Sequence, residues 1–96
     1  MYVLVTYDVS TIDSAGRRRL RRVAKICENF GVRVQNSVFE LSVEPDQWVD
    51  CKNQLVSVIE KEEDSLRFYF LGRNWRRRVE HVGAGAKPDV ESPLIV

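Results

Sequence analysis

Asp8 is the residue in this chain best placed to do chemistry. It ends a run of apolar and β-branched residues, Tyr2 to Tyr7, and is followed by a small polar stretch, Ser10 to Gly16. A carboxylate at the carboxyl end of a buried strand is costly unless it is paired or bound to a cation. Tyr7 and Ser10 offer hydroxyls beside it, and the loop beyond would let a ligand approach. Two readings stay open: Asp8 caps its loop or meets a nearby arginine, or it holds a divalent metal. One carboxylate makes a poor Mg²⁺ site, and no second acid stands obviously beside it. An isologous dimer would bring the Asp8 of two copies together across a two-fold axis, and a metal held there could polarise a phosphodiester.

The second chemical feature is charge. Fifteen Lys and Arg against fourteen Asp and Glu leave a net charge of only +1. The sum hides two basic islands, seven cations from Arg17 to Arg33 and five from Arg67 to Arg78, while acids gather at Glu60 to Asp64. Local field rather than total charge steers a polyanion, and arginine offers the better fork for phosphate oxygens. Five arginines in the six positions Arg17 to Arg22 exceed what solubility requires. Trp75, between Arg73 and Arg76, would stack on a base or cover an apolar edge.

Other candidates carry less. His81, the single histidine, lies in a short β-like stretch and reads as a satisfied or exposed imidazole. Gly83-Ala84-Gly85-Ala86 lacks the lysine and helix of a phosphate loop. Ser37 has no neighbours that would make it a nucleophile. Cys27 and Cys51 stand singly on apolar helix faces, which argues for reduced core thiols, against zinc, and for a cytoplasmic protein. No membrane span and no signal peptide are visible.

The elements that position these residues follow from periodicity. Residues 2–9 read as a buried strand. From Arg17 to Phe30, Leu20, Val23, Ala24, Cys27 and Phe30 fall at helical spacing, with Gly31 where a C-cap glycine belongs. Residues 32–36 and 38–43 read as two strands meeting near Gln35-Asn36-Ser37. Pro45 opens a second helix, with Trp48, Cys51, Leu55, Val58 and Ile59 on its stripe. Leu66 to Leu71 alternates as a fourth strand, and Val79 to Val82 is a possible fifth. The order is β-α-β-β-α-β, a ferredoxin-like α+β sandwich with an extra C-terminal strand. Residues 1–78 form the core. Residues 79–96 are a tail of the same domain whose apolar end, Pro93 to Val96, needs a sheet edge to cover, its own or a partner's.

The motifs Val3-Leu4-Val5-Thr6-Tyr7-Asp8-Val9, Gly31-Val32-Arg33-Val34-Gln35-Asn36-Ser37-Val38-Phe39-Glu40 and Asp64-Ser65-Leu66-Arg67-Phe68-Tyr69 occur in order along the chain. Together they resemble the CRISPR-associated protein 2 family, over essentially the whole length. The resemblance implies a ferredoxin-like homodimer with exchanged tails and a divalent metal, Mg²⁺ or Mn²⁺, held by Asp8 of both subunits. It implies endonuclease activity on RNA or double-stranded DNA in spacer acquisition, with Asp8 catalytic and Tyr7, Ser10, Ser37 and Phe39 in support. It also implies a scaffold role bridging CRISPR integrase subunits, with Arg17, Arg18, Arg19, Arg33, Arg76 and Arg77 on the nucleic-acid backbone. Ser10 stands where a second polar residue often follows the aspartate, so a second carboxylate is not expected there.

An RNA-recognition module shares the split βαβ order, but Phe39 is the one aromatic on the third strand and the basic-Gly-aromatic signature is missing. A small-molecule regulatory domain would not need two arginine islands.

Overall fold

The computed structural model describes residues 1–72 and 79–84. Within them the order is β1 (Tyr2–Asp8), α1 (Ser14–Phe30), β2 (Gly31–Gln35), β3 (Val38–Ser42), α2 (Pro45–Val58), β4 (Ser65–Phe70) and β5 (Val79–Gly83). The strands form one sheet in the order β2-β3-β1-β4-β5, each neighbour antiparallel. This is the ferredoxin-like α+β arrangement expected from the sequence, with β5 paired to β4 at the edge.

Alternation decides which face of the sheet is covered. Val3, Val5 and Tyr7 of β1, Phe39 and Leu41 of β3, and Leu66 and Phe68 of β4 are buried. They meet Val23 and Cys27 of α1 and Trp48, Cys51 and Leu55 of α2. Burying each such side chain contributes roughly 1.5–3 kcal/mol. Trp48 packs edge-on against Phe68 and Phe70, with ring centroids 4.8 and 5.5 Å away. Burial pushes both cysteine thiols up to about 12, so they remain protonated parts of the interior.

The alternate residues Tyr2, Leu4, Thr6 and Asp8 fall on the other face of β1, which neither helix covers. Asp8 is therefore on the uncovered face, at the end of the central strand.

Two local expectations are corrected. The first helix begins at Ser14, three residues before the arginines, because the Asp13 carboxylate accepts the Gly16 N–H at 2.8 Å and caps it. Gly31 is not a left-handed cap: its φ of −163° is extended, and it is the first residue of β2. What excludes a side chain there is space, because a Cβ would collide with the Glu40 carbonyl oxygen of the paired strand. Gly31→Ala is expected to lower stability by about 1–3 kcal/mol, the usual range for overpacking. A urea titration with an unchanged slope and a lower midpoint checks this.

Candidate metal and nucleic-acid site

Asp8 lies opposite Ser65 in the β1–β4 ladder and is exposed. Its carboxylate has no hydrogen bond or ion pair among the described residues, so the loop-capping and arginine-pairing readings find no support there. Also among the described residues, no three His, Cys, Asp or Glu side chains gather to hold a metal. Among the described residues, Asp8 thus stands at this point without a cluster of further ligands.

The residues around Asp8 divide between the two faces of the sheet. Tyr7 does not join it: its ring is in the core, 6.2 Å from the Phe39 ring, and its hydroxyl donates to the Asn36 carbonyl at 3.3 Å. Burial raises the Tyr7 phenol above its ordinary value. The Tyr7 N–H donates to the Ser37 carbonyl at 3.2 Å, so the β2–β3 turn is fastened beside the end of β1. Arg33 sits over Phe39, 5.1 Å from the ring centre, and reaches Glu28 at 3.6 Å. Tyr7, Phe39 and Arg33 form one stack supporting the strand end from the core side. Ser10 contributes its backbone: its N–H donates to Asp64 at 3.0 Å.

Asp64 is the buried charge beside the strand end that sequence reasoning did not single out. It is fully buried, the one charged side chain so placed among the described residues. Oδ2 accepts from Arg19 Nε at 2.7 Å and from the Glu60 N–H at 2.9 Å. Oδ1 accepts from the Ser10 N–H and from Arg19 Nη2 at 3.3 Å. Burial alone would raise its pKa, but the Arg19 hydrogen bonds, the two backbone N–H groups and the Arg19 charge outweigh it and hold the carboxyl below its ordinary value. In sequence, Asp64 is the last of an acidic run, and the visible cue was its place directly before an alternating strand.

The arginines of the first island serve different ends. Arg19, expected on the nucleic-acid backbone, is drawn into the Asp64 pair and also meets Glu63 at 3.3 Å. Arg17 is exposed and reaches the Thr11 carbonyl at 3.4 Å. Arg18 is exposed and lines an open groove with Arg21, Arg22 and Lys25, three cations absent from the expected set. Their spacing of three, four and seven residues puts them on one face of α1. The groove continues past Ile26 to Gln54 and Ser57 of α2. Arg76, Arg77 and Trp75 lie outside the described residues. His81 Nε2 stands 2.7 Å from the Ala84 carbonyl oxygen, which requires its proton there.

The profile of the family described as CRISPR associated protein Cas2 matches residues 1–79. The chain belongs to the Cas2 family. It is 58% identical over 96 residues to the CRISPR-associated endoribonuclease Cas2 of Chlorobaculum tepidum, covering 100% of both chains. It is 54% identical over 95 residues to the CRISPR-associated endonuclease Cas2 of Halalkalibacterium halodurans, covering 99% of each. The crystal structure of Streptococcus pyogenes Cas2 at pH 6.5 superposes with a TM-score of 0.70 at 60% identity, over 86% of this chain and 100% of that one. The family resemblance of the ordered motifs and the ferredoxin-like fold are both borne out.

In this Cas2 chain the buried carboxylate sets an acid limit. Its folded pKa is depressed, so its contribution is complete above the unfolded carboxylate value, about 3.9, and is lost as pH falls below it. Melting temperature should therefore drop steeply below about pH 4. In Asp64→Asn that drop should be shallower, from a lower starting point at pH 7, as followed by circular dichroism.

Proposed function

We propose that this Cas2 chain is a metal-dependent endonuclease of CRISPR adaptation that works as a homodimer, with Asp8 of each copy contributing to one shared Mg²⁺ or Mn²⁺ site. The observation that carries the reading is the Asp8 carboxylate: exposed, at the end of the central strand and without an intramolecular partner among the described residues. A second copy laid against the uncovered sheet face supplies the second oxygen ligand that one chain lacks. Half-buried Leu4, Thr6, Val38 and Tyr69 on that face suit such a contact. Relatives named endoribonuclease and endonuclease support phosphodiester hydrolysis as the reaction.

A hard divalent cation there would polarise the phosphate and bring bound water closer to hydroxide at neutral pH. The chain's own contribution is positional. Asp8 orients the ion, the Tyr7–Phe39–Arg33 stack keeps the strand end straight, and the Ser10 peptide is held from below.

A specific observation favours a second role beside cleavage. The Arg18, Arg21, Arg22 and Lys25 groove belongs to the helical layer, whereas Asp8 falls on the sheet face turned away from the helices. Nucleic acid lying along α1 is gripped at a distance from the same chain's Asp8, as a scaffold that bridges integrase subunits would require. Arg17 and Arg33 extend the basic surface, and both are exposed.

Cleavage of labelled double-stranded DNA and single-stranded RNA with Mg²⁺, Mn²⁺ or chelator tests the first reading. Asp8→Asn should lower the metal-dependent rate by at least about 100-fold, equivalent to about 2.7 kcal/mol of transition-state stabilisation. No metal-dependent cleavage in the parent protein would overturn it. The grip is tested by salt titration of binding. Each of Arg18→Gln and Arg22→Gln should reduce the slope of log affinity against log salt by about one. A flat salt response in the parent would remove the helical groove from the account.

A further inference from the structure

We propose that Asp64 and Arg19 are a positioning pair for Asp8, fixing through the Ser10 peptide the strand end from which its carboxylate projects. This rests on the reading of Asp8 as the metal-binding residue.

Charge pairs removed from water add little net stability compared with apolar groups of equal volume, because desolvation offsets their attraction. Their hydrogen bonds, however, are directional and short. Asp64 uses both oxygens on donors from three separate segments: Ser10 after β1, Arg19 on α1, and Glu60 after α2. A leucine at that point would fill the space and hold none of them.

Ser10 is two residues beyond Asp8, and it is clamped on both sides of its backbone. Its N–H is taken by Asp64. Its carbonyl oxygen lies against Gly16, where an added Cβ would collide with it. On the strand side, Asp8 itself is in register with Ser65, the residue after Asp64. Ser65 thus faces Asp8 in the ladder, and Asp64, the residue just before β4, holds Ser10 beyond it.

Arg19 completes the clamp by holding the carboxylate that holds Ser10. Its guanidinium approaches both oxygens, 2.7 Å from one and 3.3 Å from the other. Lysine keeps the charge but offers no planar fork. Arg19 thus differs in kind from Arg18 and Arg22, which face solvent.

The test compares Asp64→Asn and Arg19→Lys with the parent protein in three measurements: amide hydrogen exchange at Ser10, Mn²⁺ affinity by electron paramagnetic resonance, and steady-state cleavage. With cooperative melting retained, Ser10 protection should fall at least about tenfold, and Mn²⁺ affinity and kcat should fall about 10- to 100-fold, with KM for nucleic acid unchanged. Should Asp64→Asn fail to fold, Arg19→Lys carries the test alone. Unchanged Ser10 exchange in the folded variants overturns the proposal. So does a raised KM with kcat and Ser10 protection intact, which would make Arg19 a nucleic-acid contact instead. If the parent does not cleave, the nuclease reading falls, while Ser10 exchange and Mn²⁺ affinity still decide the positioning claim.

Discussion

One buried carboxylate ties together the segments that surround the end of the central strand. Asp64 is where the exit of β1, the first turns of α1 and the connection from α2 to β4 are fastened together, through hydrogen bonds to Ser10, Arg19 and Glu60. Its backbone carbonyl extends the same junction to the end of β5 by accepting the Ala84 N–H at 2.7 Å. Gly83 makes that approach possible with a φ of +106°, a left-handed value that glycine adopts without strain. Side chain and main chain of a single residue thus bind four segments, while the apolar core beneath them determines only that they are near.

That arrangement explains how an almost neutral chain presents a basic surface. Arg19, Arg33 and Lys52 are engaged with Asp64, Glu28 and Glu80. Arg18, Arg21, Arg22 and Lys25 instead line a groove together. Acids and bases cancel in the sum because the acids are mostly located elsewhere. The field along α1 is therefore much stronger than the net charge of +1 suggests. Ion pairs near the surface, such as half-buried Lys52 with Glu80, contribute little to stability. The groove's cations matter as a surface rather than as pairs.

The parts legible in the sequence were those set by local periodicity. The β-branched and aromatic run of residues 2–9 and the alternation of residues 66–71 mark strands that the sheet contains, and Leu20, Val23, Ala24 and Cys27 mark the inner stripe of α1. Asp8 was legible because its type changes abruptly at a strand end. Asp64 was not, because Glu60, Glu62, Glu63 and Asp64 look alike until a long-range partner selects one. That partner, Arg19, is 45 residues away and is equally anonymous among Arg17, Arg18, Arg21 and Arg22. Tyr7 was expected beside Asp8 because adjacent residues are close in sequence, yet a strand sends them to opposite faces. Gly31 caps α1 as its position suggests, its N–H donating to the Cys27 carbonyl, but glycine is required there by the close approach of β3 and not by a left-handed φ.

A lone carboxylate at the strand end, among the described residues, has a consequence for how stability and function are linked. A domain of 96 residues has a modest core, and this one keeps both helices on one side of its sheet. On the proposed reading, covering the other side with a second copy buries apolar surface and completes the metal site in one event. Activity then depends on chain concentration as folding stability does, through the same association equilibrium. The Asp64 clamp fits this arrangement: it fixes the Asp8 strand end within each chain, so that association need only bring two ordered carboxylates together. A floppy strand end would have to be ordered at the moment of association, weakening it by the entropy of the residues fixed, roughly 1–2 kcal/mol for each. Preorganisation inside the subunit is what lets an interface between small subunits hold a site.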